Sequence, residues 1–78
     1  MQLPVIKKLI TEPLDVLKLA EQALMEGKTP PITIEGKNDG DQLTNLLGAI
    51  AVKEEMMRGV SERDALRAFA QRVRDVIQ

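Results

Sequence analysis

The residue types that carry most enzyme chemistry are missing from this 78-residue sequence. It contains no His, Cys, Trp or Tyr, so nucleophilic or acid–base catalysis would have to rely on hydroxyls, lysines and carboxylates. Ser61 is the only serine, and its position just before an amphipathic segment is typical of a helix N-cap. We therefore expect no catalytic residue, no enzyme activity and no cofactor.

Metal binding is likewise not indicated by the sequence. The common zinc ligands are absent, and with them the possibility of a disulfide. Asn38, Asp39 and Asp41 offer oxygen ligands to a hard cation, but the spacing of a calcium loop and its terminal Glu are missing. The glycines at both ends of residues 36–40 mark a turn, since the spacing of a phosphate-binding loop is not met. We predict no metal site.

Length and composition predict a single globular domain over residues 1–78. Apolar residues make up 44% of the chain and charged residues 29%, which is an ordinary globular mixture. The net charge of −1 provides no overall field for nucleic acid or anionic lipid. Lys7 and Lys8 divide the apolar N-terminal run, and no apolar stretch approaches the length of a membrane span. We expect a cytoplasmic protein that binds no membrane.

Apolar residues recur at helical spacing in four segments, so the predicted fold class is all-α. A short N-terminal helix is followed by three longer helices, of which the last two form an αα-hairpin around Gly59. Thr11 or Glu12 is expected to cap the second helix, Asp39 the third and Ser61 the fourth. The first three helices are predicted at about Pro4–Ile10, Pro13–Glu26 and Gly40–Arg58, with Gly27 and Gly59 ending the second and third. The apolar stripe of the fourth runs from Ala65 to Ile77, and Phe69 is expected to be buried at its centre. Gly48, Ala49 and Ala51 in the third helix should let another backbone approach closely.

A proline-containing segment separates the second and third helices. Pro30 and Pro31 prevent a helix there, and the following residues 32–35 alternate apolar with polar side chains. This pattern fits a short strand or an extended connector anchored by Ile32 and Ile34. We favour the connector, because no second segment has a strand pattern to pair with it.

The third helix is apolar on two sides, which is typical of a helix with neighbours on both. One face, assigned to the chain's own core, contains Leu43, Leu46, Leu47, Ile50 and Met57. The second face, assigned to a homodimer or to another protein partner, contains Asn45, Gly48, Ala49, Val52 and Met56. An intrachain sandwich is the alternative for this second face. The leading functional hypothesis is a non-catalytic interaction module that self-associates.

A helix-turn-helix DNA-binding protein is the second hypothesis. Arg63, Arg67 and Arg74 lie on one flank of the fourth helix and could contact phosphates. Acidic residues in the same helix leave little positive surplus, and a DNA reader needs a basic surface. The favoured interpretation is that the arginine stems lie over the border of the apolar stripe. A carrier that holds a small molecule between helices ranks third.

Segments near both ends of the chain form a recognisable pattern. They are Leu3-Pro4-Val5-Ile6-Lys7, then Gly48-Ala49-Ile50 with Val52 and Met56 or Met57, and finally Gly59, Ala65-Leu66, Phe69 and Arg72-Val73. In these segments the chain resembles a family of small uncharacterised bacterial helical proteins, while residues 11–40 depart from it. The resemblance implies a compact helical fold and brings no activity, ligand or site residue.

Overall fold

Four α-helices make up the regular structure of residues 3–77, the part of the chain that the computed structural model describes, with side chains through Arg74. Over these residues no strand is present, so the predicted all-α class is confirmed. Residues 26–38, which include both prolines of the connector, belong to no helix. The helices are α1 (Leu3–Leu9), α2 (Leu14–Met25), α3 (Asp39–Met57) and α4 (Glu62–Ile77).

The ends of the helices follow the expected signals in three places and depart from them in two. Gly27 and Gly59 have φ of 72° and 97° just beyond α2 and α3, where a left-handed residue ends a helix. The Ser61 hydroxyl accepts a hydrogen bond from the Asp64 N–H at 3.2 Å, as a cap of α4 should. At α3 the cap is Asn38 instead of Asp39, because the Asn38 side chain reaches the Asp41 N–H at 2.9 Å.

The start of α2 also differs from the expectation. Pro13 occupies the N-cap position in an extended conformation and makes no side-chain cap hydrogen bond, while the Asp15 carboxylate within the first turn accepts from the Val16 N–H at 3.0 Å. Thr11 turns the other way and donates its hydroxyl hydrogen to the Lys8 carbonyl at 2.6 Å, at the end of α1. The prediction that Thr11 or Glu12 caps α2 is therefore wrong. The Thr11 side chain thus provides a hydrogen bond to a carbonyl at the end of α1. α2 begins instead at Pro13, whose ring fixes the backbone angle φ.

The third helix is the centre of the molecule, because α1, α2 and α4 each pack against it more than against one another. α2 and α3 run antiparallel. Lys18, early in α2, pairs with Glu54 near the end of α3 at 3.8 Å, whereas Leu24 at the end of α2 lines a groove with Gln42 at the start of α3. No helix among residues 3–77 is long and apolar enough to cross a membrane.

The core is aliphatic apart from one ring. Its largest fully buried side chains come from α1, the segment after it, α2 and α3, and Phe69 of α4 adds the ring at 9% exposure. The expected burial of Phe69 is confirmed. From the connector, Ile34 is 5% exposed and joins the core, with Ile32 half-buried beside it. The fully buried large side chains are Ile6, Ile10, Leu17, Leu46 and Val52.

Replacing Phe69 by Ala should remove about 3–5 kcal/mol from the free energy of unfolding, as aromatic truncations in cores do. A domain of this size has a total stability of about 5 kcal/mol, so the variant should be largely unfolded at moderate temperature. Thermal melting followed by circular dichroism measures this. A melting temperature within a few degrees of the parent would show that the ring contributes little to the core.

Candidate interaction surfaces

The α3 face that the sequence assigns to a dimer lies inside the single chain. Asn45, Ala49 and Val52 are 3%, 0% and 0% exposed, Gly48 is buried, and Met56 is half-buried against the core. These side chains are not the exposed patch on which their assignment to a dimer depended. The alternative of an intrachain sandwich describes their position, because other elements of the same chain cover this face of α3.

Two of those elements meet at Gly48. A Cβ atom on this residue would come within 2.9 Å of the Ile6 Cδ1 atom and within 2.9 Å of the Phe69 Cζ atom. Real Cβ atoms do not approach carbon atoms this closely, so the side chains of α1 and α4 use the space that a side chain at position 48 would fill. The close approach expected at Gly48 is therefore made by elements of the same chain.

The connector covers another part of the same face. The Asn45 side-chain amide donates a hydrogen bond to the Glu35 carbonyl at 3.0 Å. Gly36 lies so close to α3 that a Cβ there would come within 2.7 Å of the Gln42 backbone nitrogen. Glu35 also pairs with Lys8 of α1 at 3.5 Å. The sequence shows Asn45 among apolar neighbours, and the structure explains it as the residue that ties the connector to α3.

A second side-chain hydrogen bond joins α3 to another segment and was not predicted from the sequence. The Lys53 ammonium of α3 donates a hydrogen bond to the Ile10 carbonyl at 2.8 Å. This carbonyl belongs to the group at a helix end that has no partner within the helix, and a lysine is a favourable donor there. Lys53 appears in the sequence as one of several mid-helix charges. Only the packing of α1 against α3 reveals its partner.

Part of the face assigned to the chain's own core is exposed instead. Leu46 and Ile50 are buried, but Leu47 is 45% exposed and Met57 68% exposed, so these two assignments are wrong. Leu47 is exposed because the contacts of α3 with three helices leave one strip of it uncovered, and Met57 is exposed because it is the last residue of the helix. Leu43 is half-buried at the border of that strip.

The uncovered strip continues onto α2. The Lys18–Glu54 ion pair marks one side of the α2–α3 contact. Moving seven residues, or two helical turns, along each antiparallel helix leads from this pair to Met25 and Leu47 on the same side. Met25 is 71% exposed. We call this surface the Leu47 patch, and it comprises Met25, Leu43, Leu47 and the half-buried Ala51.

The three arginines of the DNA hypothesis form a separate surface. Arg63, Arg67 and Arg74 are all exposed, and none of them makes an ion pair or side-chain hydrogen bond with the side chains described, which run through Arg74. They share a side of α4 that is turned away from buried Ala65 and Phe69. Half-buried Leu66 and Ala70 of the apolar stripe are the i+3 neighbours of Arg63 and Arg67 on the helix surface.

Two small grooves lie among the described side chains. One of about 210 Å³ lies between α1 and the connector at Val5 and Thr33, and another of about 230 Å³ lies between Leu24 and Gln42. Both fall below the roughly 300 Å³ of typical ligand pockets. Over the same part of the chain, no three His, Cys, Asp or Glu side chains are grouped so that they could hold a metal ion.

The fold defines a small four-helix protein in which the other helices and a connector are packed around α3. The chain belongs to the family of unknown function DUF6952, whose pattern matches residues 1–78. No curated protein matches the chain at a significant level, and neither does any solved structure. The family supports the resemblance to uncharacterised proteins seen in the sequence.

Gly48→Ala should lower the free energy of unfolding by about 1 kcal/mol, because crowding in a packed core outweighs the gain in helix propensity. The end of Ile6 can turn aside, whereas the Phe69 ring cannot. In a Phe69→Leu background the same change should be neutral or stabilising. Urea denaturation of the parent, the two single variants and the double variant measures the coupling free energy between positions 48 and 69. Equal effects of Gly48→Ala in both backgrounds would contradict the contact.

Proposed function

We propose that the protein is a non-catalytic interaction module that self-associates through the Leu47 patch. The observation that supports this proposal is the grouping of Met25 and Leu47, which are 71% and 45% exposed, at one place on the α2–α3 surface. Single exposed apolar side chains are common on proteins, but neighbouring ones commonly mark an interface. The proposal transfers the dimer expected from the sequence to a different surface of α3.

A second copy suits this surface better than a charged partner. Two of the charges near the patch are compensated within the chain, since Lys18 pairs with Glu54 at 3.8 Å and Lys28 pairs with Glu26 at 3.2 Å. Glu21 and Asp39, one helical turn before Met25 and Leu43, are the like charges that a symmetric contact has to keep apart. Two-fold symmetry is the commonest arrangement in such cases, because one patch serves both subunits. A chain of this length has a small core, and burial of additional apolar surface by association would stabilise it.

Two features of the fold would hold the Leu47 patch in place, and we propose both in the form that the sequence predicts. α3 and α4 would act as an αα-hairpin, which is supported by their mutual packing and by the short connection over residues 58–61. Residues 26–38 would act as an extended connector, which is supported by the burial of Ile34 and by the Asn45–Glu35 hydrogen bond.

Leu47→Glu should dissociate the dimer, since it places two like charges near the symmetry axis. Met57→Glu is the matched control, because it introduces the same charge at an exposed position of α3 outside the patch. Sedimentation equilibrium at high micromolar concentration, and at a salt concentration that screens exposed ion pairs, should give a dimer for the parent and the control and a monomer for Leu47→Glu. A single monomer mass for the parent would refute self-association.

DNA binding is the alternative, and the observation in its favour is that Arg63, Arg67 and Arg74 are exposed and have no ion-pair partner among the side chains that the structure describes. Exposed Glu62 and Asp64 in the first turn of α4 weigh against it, as does the net charge of −1. Phosphate contacts supply most of the affinity of DNA-binding proteins, and acidic side chains beside an arginine oppose them. We therefore place this function second.

No binding to a random DNA duplex is expected, even at low salt. A gel-shift or anisotropy titration decides, with Arg63→Ala plus Arg67→Ala as the paired variant. Duplex retarded by the parent and released by the variant would reverse the order of the two hypotheses. A binding constant that falls steeply with salt would then report the number of phosphates neutralised.

A further inference from the structure

The outer side of α4 carries a regular row of side chains. Arg63, Arg67, Ala70 and Arg74 have the spacing i, i+4, i+7 and i+11, which returns to the same side of a helix. We call this row the arginine ridge. Its arginines are exposed and have no acidic partner among residues 3–74, while Ala70 leaves a half-buried gap between them. The ridge is about 16 Å long, as eleven residues of helix are.

The outer side of α2 carries a row with the same spacing. It consists of Asp15, Leu19, Gln22 and Glu26, the last being the C-cap residue, and all four are exposed. We call it the acidic ridge. Leu19, at 57% exposure, is the large apolar side chain in it. Glu26 makes an exposed ion pair with Lys28 at 3.2 Å, which a stronger partner can replace because such pairs contribute little.

We propose that the arginine ridge of one copy docks antiparallel on the acidic ridge of a second copy. In this register Arg63 meets Glu26 and Arg74 meets Asp15, so that opposite charges pair at both ends. Between them Leu19 enters the gap at Ala70. The two ridges cannot pair within one chain, because α2 and α4 share no extensive contact.

The contact is heterologous, since each copy presents one ridge and receives the other. Such contacts produce a closed ring or an open chain of copies, according to the rotation between neighbours. This inference goes beyond the two-fold pairing at the Leu47 patch and does not depend on it. The ridges lie on other sides of α2 and α4, so both contacts can exist together.

The matched spacing favours a second copy over nucleic acid as the occupant of the arginine ridge. A phosphate backbone would meet the carboxylates of Glu62 and Asp64 beside Arg63, as well as a chain of net negative charge. The acidic ridge, in contrast, offers carboxylates at its two ends, opposite Arg63 and Arg74, and the neutral amide of Gln22 opposite Arg67. Exposed ion pairs are weak and screened by salt, so the contact should form at low ionic strength and high protein concentration.

Charge reversal tests the proposal in the Leu47→Glu background, where the proposed dimer cannot contribute. One variant carries Arg63→Glu and Arg74→Glu, and the other carries Asp15→Arg and Glu26→Arg. Sedimentation velocity at low salt should show association of the Leu47→Glu parent and an association constant at least about tenfold lower for each variant alone. An equimolar mixture should recover the parental association, because each reversed ridge then meets an opposite one.

Far-UV circular dichroism serves as the folding control, and all four substituted positions are exposed. A monomeric Leu47→Glu parent at low salt, variants that associate as well as the parent, or a mixture that does not recover would each overturn the ridge contact. Duplex binding lost only in the arginine variant, with no association of copies, would assign the ridge to nucleic acid. The difference in association between the unmodified protein and Leu47→Glu measures the proposed dimer at the Leu47 patch separately.

Discussion

The packing of two helices into the space above Gly48 is the constraint on which the rest of the structure depends. α1 brings Ile6 and α4 brings Phe69 to the same point on α3, and a side chain at position 48 would occupy the volume that they share. A glycine in the middle of a helix costs about 1 kcal/mol relative to alanine. Here that cost is offset by the burial of the only aromatic ring in the chain.

Two side-chain hydrogen bonds add to this apolar contact and join α3 to other segments of the chain. Asn45 and Lys53 leave α3 in different directions and bind backbone carbonyls of the connector and of the segment after α1. Each bond satisfies a carbonyl outside the helical hydrogen-bond ladder and fixes the position of a segment with few contacts of its own. The face of α3 that looks in sequence like a surface for a partner is thus occupied by the chain itself.

The fold class and the approximate helices could be read from the sequence, because apolar periodicity, Gly27 and Gly59 depend on local geometry. Which apolar side chains of α3 are buried and which are exposed could not be read from the sequence. Leu47 and Ala49 are both apolar residues of one helix, and only the positions of the other elements decide that one is exposed and the other buried. The sequence did not decide between Asn38 and Asp39 as the cap of α3, because both residue types cap well and the two residues are adjacent.

The positions of the interaction surfaces could not be read from the sequence either. The sequence indicated that α3 has more apolar surface than one neighbour requires, and an exposed apolar patch does occur, but on the other side of the helix. The row of arginines was visible in the sequence, whereas their lack of partners was not, because acidic residues are plentiful in α2 and α3. Where those acids lie relative to α4 is a property of the packing.

The central position of α3 also determines how the molecule can come apart. Because the principal helix contacts all include α3, no pair of the remaining helices has an interface that could persist without it. Loss of α3 therefore removes the stabilising neighbours of α1, α2 and α4 in one event. Such an arrangement favours all-or-none unfolding over stepwise opening, so the slowest amide hydrogens to exchange with solvent should belong to α3 and should exchange only through global unfolding.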